Sequence, residues 1–102
     1  MFRYQVYGQV RMGGWQEFYE LFKKLEETCR AKNYNPRHLG GPTVGTINAF
    51  MLTSDHETIE AWNRDAATYH QDADYMKSWR AMGQLLEEPP TEELWETAFQ
   101  IA

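Results

Sequence analysis

The sequence predicts an α+β fold in which helices cover one face of an antiparallel β-sheet. Residues 2–12 and 44–53 alternate apolar and polar side chains, as half-buried strands do. Residues 15–32 and 59–86 instead carry apolar side chains every three or four positions, which is the spacing of amphipathic helices. Elements of these lengths within 102 residues fit a single domain, residues 1–102.

The first predicted strand, residues 2–12, has one apolar face. Every second position places a mainly apolar side chain there, and these residues are Phe2, Tyr4, Val6, Val10 and Met12. The opposite face is more polar and consists of Arg3, Gln5, Tyr7, Gln9 and Arg11. Gly13-Gly14 predicts the end of the strand, because paired glycines favour turns.

An amphipathic helix is predicted from residue 15 to about Lys32. Its apolar stripe consists of Trp15, Phe18, Phe22, Leu25 and Cys29. The stretch that follows, residues 33–42, is rich in Asn, Gly and Pro. A short strand at about residues 34–39 would lie at a sheet edge, because Pro36 is tolerated in a strand only there.

Residues 44–53 form the next predicted strand, and both of its faces are at least half apolar. One face consists of Val44, Thr46, Asn48, Phe50 and Leu52, and the other of Gly45, Ile47, Ala49, Met51 and Thr53. Ser54 followed three residues later by Glu57 predicts a helix start, because the two side chains form a capping box.

The helical region after this strand is predicted to be split by a break at residues 71–74. The inward residues are Ile59, Trp62, Ala66 and Tyr69 before the break, and Tyr75, Trp79, Met82 and Leu86 after it. Pro89-Pro90 ends the region. The tail, residues 93–101, fits either a helix or a strand by its apolar spacing alone.

Topology favours a strand for this tail. A strand beside the first one would complete the βαββαβ order of a ferredoxin-like domain, with a split second helix and a four-stranded antiparallel sheet. It would also cover an open sheet edge. The sheet face without helices would expose apolar side chains among polar ones, namely Tyr7, Ile47, Ala49 and Met51. We therefore expect a two-fold homodimer with its sheets packed face to face, rather than a monomer.

Composition and charge exclude several classes of protein. The formal net charge is −5 and the longest basic run is Lys23-Lys24, so nucleic-acid binding is not expected. No apolar stretch approaches the roughly 20 residues of a membrane span, and the N-terminus lacks the pattern of a signal peptide. The single cysteine, Cys29, favours a reducing compartment, so we expect a cytoplasmic protein.

Three segments resemble the NIPSNAP-like family. Residues 43–52, with Gly45 and Asn48 before an apolar run, are similar to a strand of that family. Residues 72–79 resemble its acidic turn leading into an aromatic helix, and residues 4–22 resemble its first strand and helix. The resemblance covers most of the chain.

This resemblance implies the dimeric α+β barrel superfamily. Its members include cofactor-free monooxygenases that act on aromatic polyketides, haem-degrading oxygenases and small-molecule isomerases. The Asn, Trp and His set of the haem-degrading members does not map onto this chain residue by residue. We therefore expect no cofactor, and fold alone does not settle the reaction.

A small-ligand pocket is predicted between the sheet and the split helix. Asn63 and His70 lie seven residues apart on one flank of the helix, and Asn48 lies on the apolar face of its strand. Gly8 in the first strand removes volume on the corresponding face. Convergent polar groups in an apolar cavity are typical of ligand sites. His70 would act as a general base, and Asn48 would donate to a developing oxyanion.

Each of these residues also has a structural interpretation. His70 fits a solvated position at a helix C-terminus, and Asn48 fits a structural hydrogen bond to a loop. His56 and Glu60 have a chelating spacing, but two ligands do not make a metal site, so helix capping is favoured and no metal is expected. Arg37-His38 is compatible with an anion-binding rim, although a solvated loop is favoured.

The sequence thus predicts a protein that binds a small aromatic or planar molecule between sheet and helices. Trp62 and Trp79 would form the walls of the site. An enzyme of this kind would carry out cofactor-independent monooxygenation or isomerisation. A non-catalytic dimeric binding or scaffold protein, whose aromatic residues only pack, fits the same residues.

Overall fold

The computed structural model describes residues 1–42 and 45–96 and contains four strands and three helices in that part of the chain. In chain order the elements are β1 (Phe2–Gln9), α1 (Trp15–Ala31), β2 (His38–Gly40), β3 (Ala49–His56), α2 (Ile59–His70), α3 (Ala73–Gly83) and β4 (Thr91–Glu96). All strand pairs are antiparallel, in the spatial order β2-β3-β1-β4. The predicted α+β, ferredoxin-like fold with a split second helix is confirmed.

β1 lies at the centre of the sheet and supplies the middle of the core. Val6 and Val10 are buried, as the alternating pattern predicts. The strand ends at Gln9, and Val10 continues it only as an isolated bridge to Leu86. Met12 is 73% exposed, so its predicted place on the apolar face is wrong. The chain has already left the sheet there and turns at Gly13, whose φ is +84°.

α1 packs its apolar stripe onto the helix-covered face of the sheet. Phe18, Phe22, Leu25 and Cys29 are buried, as the sequence predicts. The Phe18 ring lies 4.9 Å from the ring of Phe50 in β3, centroid to centroid. This contact joins the first helix to the second long strand across the core.

β3 begins later and ends later than the sequence predicts. Residues 45–48 form a turn, and Asn48 has the left-handed φ of 62° that asparagine tolerates. The strand then runs to His56 with Ser54 buried, so the predicted capping box of Ser54 and Glu57 is wrong. Thr58 caps α2 instead, since its hydroxyl oxygen accepts a hydrogen bond from the Ala61 backbone N–H at 3.0 Å.

The second helical region is split as predicted. Tyr69 is buried in α2, whereas Ile59 in its first turn is 43% exposed, contrary to the prediction. The break falls at Gln71 and Asp72, and the Asp72 carboxylate accepts a hydrogen bond from the Tyr75 backbone N–H at 3.0 Å. This side-chain cap begins a separate helix, α3, after the break.

β4 pairs with β1 along its whole length, so the predicted strand for the tail is confirmed for residues 93–96. The remainder of that tail, residues 97–101, lies outside the described residues, as does Val44. Within the described ranges, no helix is long and apolar enough to cross a membrane.

Candidate functional site

A cavity lies between the helix-covered face of the sheet and helices α2 and α3. Its volume is about 230 Å³. The residues that line it come from every strand except β2, from both helices and from the loop before β2: Tyr4, Arg37, His56, Trp62, Ala66, Tyr69, His70, Tyr75, Met76, Trp79 and Glu92. This is the location that the sequence predicts for a ligand site.

Aromatic rings form most of the cavity wall. Tyr69 and Tyr75 are stacked with centroids 4.7 Å apart and planes 14° apart. Trp79 extends this stack, with its ring 6.1 Å from that of Tyr75. The ring centroid of Trp62 in α2 lies 5.8 Å from that of Tyr4 in β1, on the sheet side of the cavity. Because ring faces inside a stack cover one another, a planar molecule would stack on the end of it, the half-buried Trp79.

Arg37 brings a buried positive charge to this wall. Only 8% of the residue is exposed. Its Nη1 donates to Ser54 Oγ and its Nη2 to Tyr75 Oη, both at 2.8 Å. Its guanidinium carbon lies 4.7 Å from the ring centroid of Tyr69, close enough for a cation–π interaction. Among the described residues no carboxylate forms an ion pair with Arg37.

A hydrogen-bonded chain leads from Arg37 to Asp65 in the middle of α2. Ser54 Oγ lies 2.9 Å from His56 Nε2, and His56 Nδ1 lies 2.9 Å from Asp65 Oδ2. Because the Asp65 carboxylate can only accept, we assign Nδ1–H of His56 as its donor, and the other ring nitrogen, Nε2, then accepts the hydroxyl proton of Ser54. His56 is therefore held in one tautomer and one orientation at the cavity wall.

Two phenols of the cavity remain protonated because they are buried. The pKa of Tyr4 is raised mainly by burial and secondly by the hydrogen bond that its hydroxyl donates to Glu92 Oε1 at 2.7 Å. Burial raises the pKa of Tyr69 to about 12. Both groups are therefore hydrogen-bond donors, and Tyr69 has no partner for its hydroxyl among the described residues.

A second cavity of about 230 Å³ adjoins the first and is almost entirely apolar. Trp79 and Glu92 line both cavities. The second one extends along the core side of the sheet, where Val6, Phe50 and Leu52 form its floor. The two cavities thus differ in character, since polar groups line much of the first and few line the second.

The structure brings three of the predicted site residues to the cavity. Trp62 and Trp79 line it, and His70, the last residue of α2, lies exposed at its wall. Asn63 is exposed on α2 and does not line the cavity. Gly8 lies under Phe50, because a Cβ there would be 3.3 Å from the Phe50 ring.

Asn48 lies away from the cavity, and the predicted approach of Asn48 to His70 is not formed. Its Nδ2 donates to the backbone oxygen of Arg11 at 3.3 Å, which ties the turn before β3 to the end of β1. The alternation of residues 44–53 placed it on the sheet, but the chain is still in the turn at that point. The structural interpretation of Asn48 thus describes its observed contacts.

Sequence reasoning missed the polar chain of Ser54, His56 and Arg37. One signal was available, because Ser54 and His56 continue the alternation of Phe50 and Leu52 along β3. Arg37 was considered only as part of an exposed rim, whereas it is buried and His38 alone is exposed. Within residues 1–42 and 45–96, no group of three or more His, Cys, Asp or Glu side chains could hold a metal ion.

Comparison with known proteins supports the architecture. No family model matches the sequence, and no curated protein matches it significantly. Solved structures do match. An uncharacterized NIPSNAP domain protein from Burkholderia xenovorans has a TM-score of 0.79 at 13% identity, with 100% of both chains covered. A NIPSNAP family protein from Agrobacterium tumefaciens has a TM-score of 0.78 at 13% identity, covering 96% of this chain and 94% of its own.

A protein from Nitrosomonas europaea, provisionally named an antibiotic biosynthesis monooxygenase, has a TM-score of 0.74. It is 21% identical, and the match covers 97% of this chain and 100% of that protein. Similarity at these identities shows a common fold. The chain has the ferredoxin-like α+β fold of structures from the NIPSNAP family and of proteins named antibiotic biosynthesis monooxygenases.

Proposed function

We propose that this protein binds a small planar organic molecule in the cavity between the sheet and helices α2 and α3. The observation that carries the proposal is the aromatic stack of Tyr69, Tyr75 and Trp79 at the cavity beside a buried Arg37. Small-ligand sites commonly combine apolar walls with a few polar groups that fix orientation. A space that served only packing would be filled by these side chains rather than lined by them.

The reaction class that this site supports is cofactor-independent monooxygenation or isomerisation. His70 would remove a proton from a carbon next to a carbonyl of the ligand, or from a phenol hydroxyl, and both give an enolate-type oxygen anion. The hydroxyl of Tyr75, which accepts from Arg37 and has its own proton to donate, would stabilise the resulting enolate oxygen. Returning the proton to another carbon completes an isomerisation. Monooxygenation instead consumes molecular oxygen: one oxygen atom becomes a carbonyl oxygen on the oxidised substrate carbon, and the other leaves as water with the two hydrogens of that carbon. The monooxygenase names of the structural neighbours support the second course.

We also propose a cytoplasmic homodimer that forms through the open sheet face. Tyr7, Met51 and Trp95 lie on that face, and Met51 and Trp95 are 42% and 56% exposed. Apolar surface of this kind, mixed with the exposed ion pair of Arg3 and Asp55, suits an interface with a polar rim. A dimer would bury this face and leave the ligand cavity on the helix side.

Binding of 2-naphthamide, a neutral planar probe, tests the proposal. We expect it to quench tryptophan fluorescence saturably, and we expect Trp79→Ala and His70→Ala to weaken binding by about tenfold, the loss of one good contact. His38→Ala serves as the matched control for His70→Ala, because His38 is exposed at a sheet edge away from the cavity.

Three outcomes would count against the proposal. Unchanged binding in both cavity variants would place the site elsewhere. Loss of binding in Asn48→Gly, a variant that tolerates the positive φ, would move the site to the turn before β3. Failure of every planar probe to bind would favour the non-catalytic scaffold instead.

A further inference from the structure

We propose that the ligand of this cavity is a planar organic anion, an aromatic carboxylate, whose charged group is held by Arg37 and Tyr69. This inference rests on the proposed function and specifies the class of molecule that the site takes. It follows from the charges and unused hydrogen-bonding groups of the cavity rather than from its shape.

Arg37 is a buried cation with neutral partners only. Ser54 and Tyr75 accept hydrogen bonds from its two terminal nitrogens, and its Nε has no partner among the described residues. Removing a guanidinium from water is costly unless an opposite charge or strong acceptors replace the lost hydration. A bound carboxylate would supply both the missing charge and a strong acceptor.

The acidic side chains nearest to this region are already engaged by other groups. Glu92 accepts from Tyr4 at 2.7 Å, and Asp65 pairs with His56 at 2.9 Å. Asp72 accepts from Lys32 Nζ at 2.7 Å and from Tyr34 Oη at 2.6 Å. The protein thus places its carboxylates on other donors and leaves the positive charge of the cavity available.

Tyr69 supplies a second unused group at the same wall. Tyr69 is 4% exposed, and its hydroxyl has no hydrogen-bond partner among the described residues. Because burial raises the pKa of this phenol, it remains a donor at neutral pH. Both residues line the cavity, and the Arg37 guanidinium carbon lies 4.7 Å from the Tyr69 ring centroid, so a carboxylate at this wall would meet a cationic and a neutral donor.

The adjoining apolar cavity fixes the direction of the ligand. Its lining is apolar apart from Arg80 and Glu92, and Glu92 is shared by the two cavities. The Glu92 carboxylate repels a nearby anion but not an uncharged ring. The carboxylate of the ligand therefore lies at Arg37, and its ring system extends along Trp79 toward Phe50.

The test compares 2-naphthoate with 2-naphthamide, two probes of nearly equal shape that differ in charge. We expect the wild-type protein to bind the naphthoate about tenfold more tightly at neutral pH, which corresponds to one charge-assisted hydrogen bond. Arg37→Gln should remove this preference, and Arg37→Lys, which restores the charge, should recover part of it. A purely structural role of Arg37 would weaken both probes equally in both variants.

Tyr69→Phe provides a second variant that does not remove the buried charge. We expect it to weaken naphthoate binding by about tenfold, with a much smaller effect on the naphthamide. If the naphthamide binds as tightly as the naphthoate in the wild-type protein, the inference is overturned while the proposed function stands. If neither probe binds, the proposed function is overturned as well.

Discussion

Removal of the Tyr69 hydroxyl should stabilise the protein without a ligand. Tyr69→Phe deletes a buried polar group that has no hydrogen-bond partner among the described residues and leaves the stacked ring in place. An unsatisfied buried hydroxyl costs about 1–3 kcal/mol. Because deletion also leaves a small void, we expect a gain near the lower end, about 1 kcal/mol.

The neighbouring Tyr75→Phe is the matched control with the opposite sign. Its hydroxyl accepts a hydrogen bond from Arg37 Nη2 at 2.8 Å, and hydrogen bonds to charged groups contribute about 1.5–3 kcal/mol. Tyr75→Phe should therefore lower the free energy of unfolding by about 2 kcal/mol. Both variants remove one oxygen from one of two stacked rings, so they differ mainly in the hydrogen bond.

Thermal and urea unfolding, followed by tryptophan fluorescence at one fixed protein concentration, measure both effects. For a domain of this size, 1 kcal/mol corresponds to a change in Tm of about 4–8 °C. We expect Tyr69→Phe to raise Tm by roughly this amount and Tyr75→Phe to lower it by about twice as much. Equal destabilisation by both substitutions would show that the Tyr69 hydroxyl already has a partner, and would refute the argument from unused donors.

Three further predictions concern other parts of the molecule. Hydrogen bonds, of which the one from Lys32 has the largest effect, hold the pKa of Asp72 below its ordinary value. The stabilisation that the Asp72 carboxylate provides is therefore present above about pH 4 and is lost on further acidification. Asp72→Asn, which keeps the cap, should lose less stability in acid than the wild-type protein, whereas the control Asp74→Asn should behave like wild type. Cys29 is 2% exposed and burial raises its thiol pKa, so a disulfide reagent should label it on the order of a thousandfold more slowly in the native protein than in urea. Met51→Lys on the open sheet face should shift the sedimentation mass from two chains to one, and a wild-type monomer at micromolar concentration would disprove the dimer.

Much of the fold was predictable because periodicity reports burial. The stripe of α1 and the buried positions Val6 and Val10 follow directly from the spacing of apolar residues. The break at Asp72 was predictable because an acidic residue before an aromatic helix provides a cap. Topology was needed to predict β4 as a strand, because the apolar spacing of its residues fits a helix as well as a strand.

The errors have a common physical origin, namely local patterns that compete. Ser54 and Glu57 match a capping box, but Ser54 also continues the alternation of β3, and its hydrogen bond with Arg37 keeps it in the sheet. Asn48 matches a strand position, but its left-handed backbone belongs to a turn. In each case a contact distant in sequence, or a backbone conformation, decided between two valid local patterns.

The centre of the candidate site was the least predictable part. Arg37 is buried by bonds to Ser54 and Tyr75, which lie 17 and 38 residues further along the chain. A Pro- and Gly-rich loop has no periodic pattern from which such contacts could be predicted. Trp62 and Trp79 were predicted as walls because they belong to helical stripes, whereas the presence of Arg37 in the same cavity required the three-dimensional structure.

A crystal structure of the protein with 2-naphthoate would test the central claim most directly. We predict that the carboxylate lies within hydrogen-bonding distance of Arg37 and of the Tyr69 hydroxyl, with the ring system against Trp79. Naphthoate bound at the open sheet face or at the turn around Asn48, with the cavity between sheet and helices left empty, would contradict it.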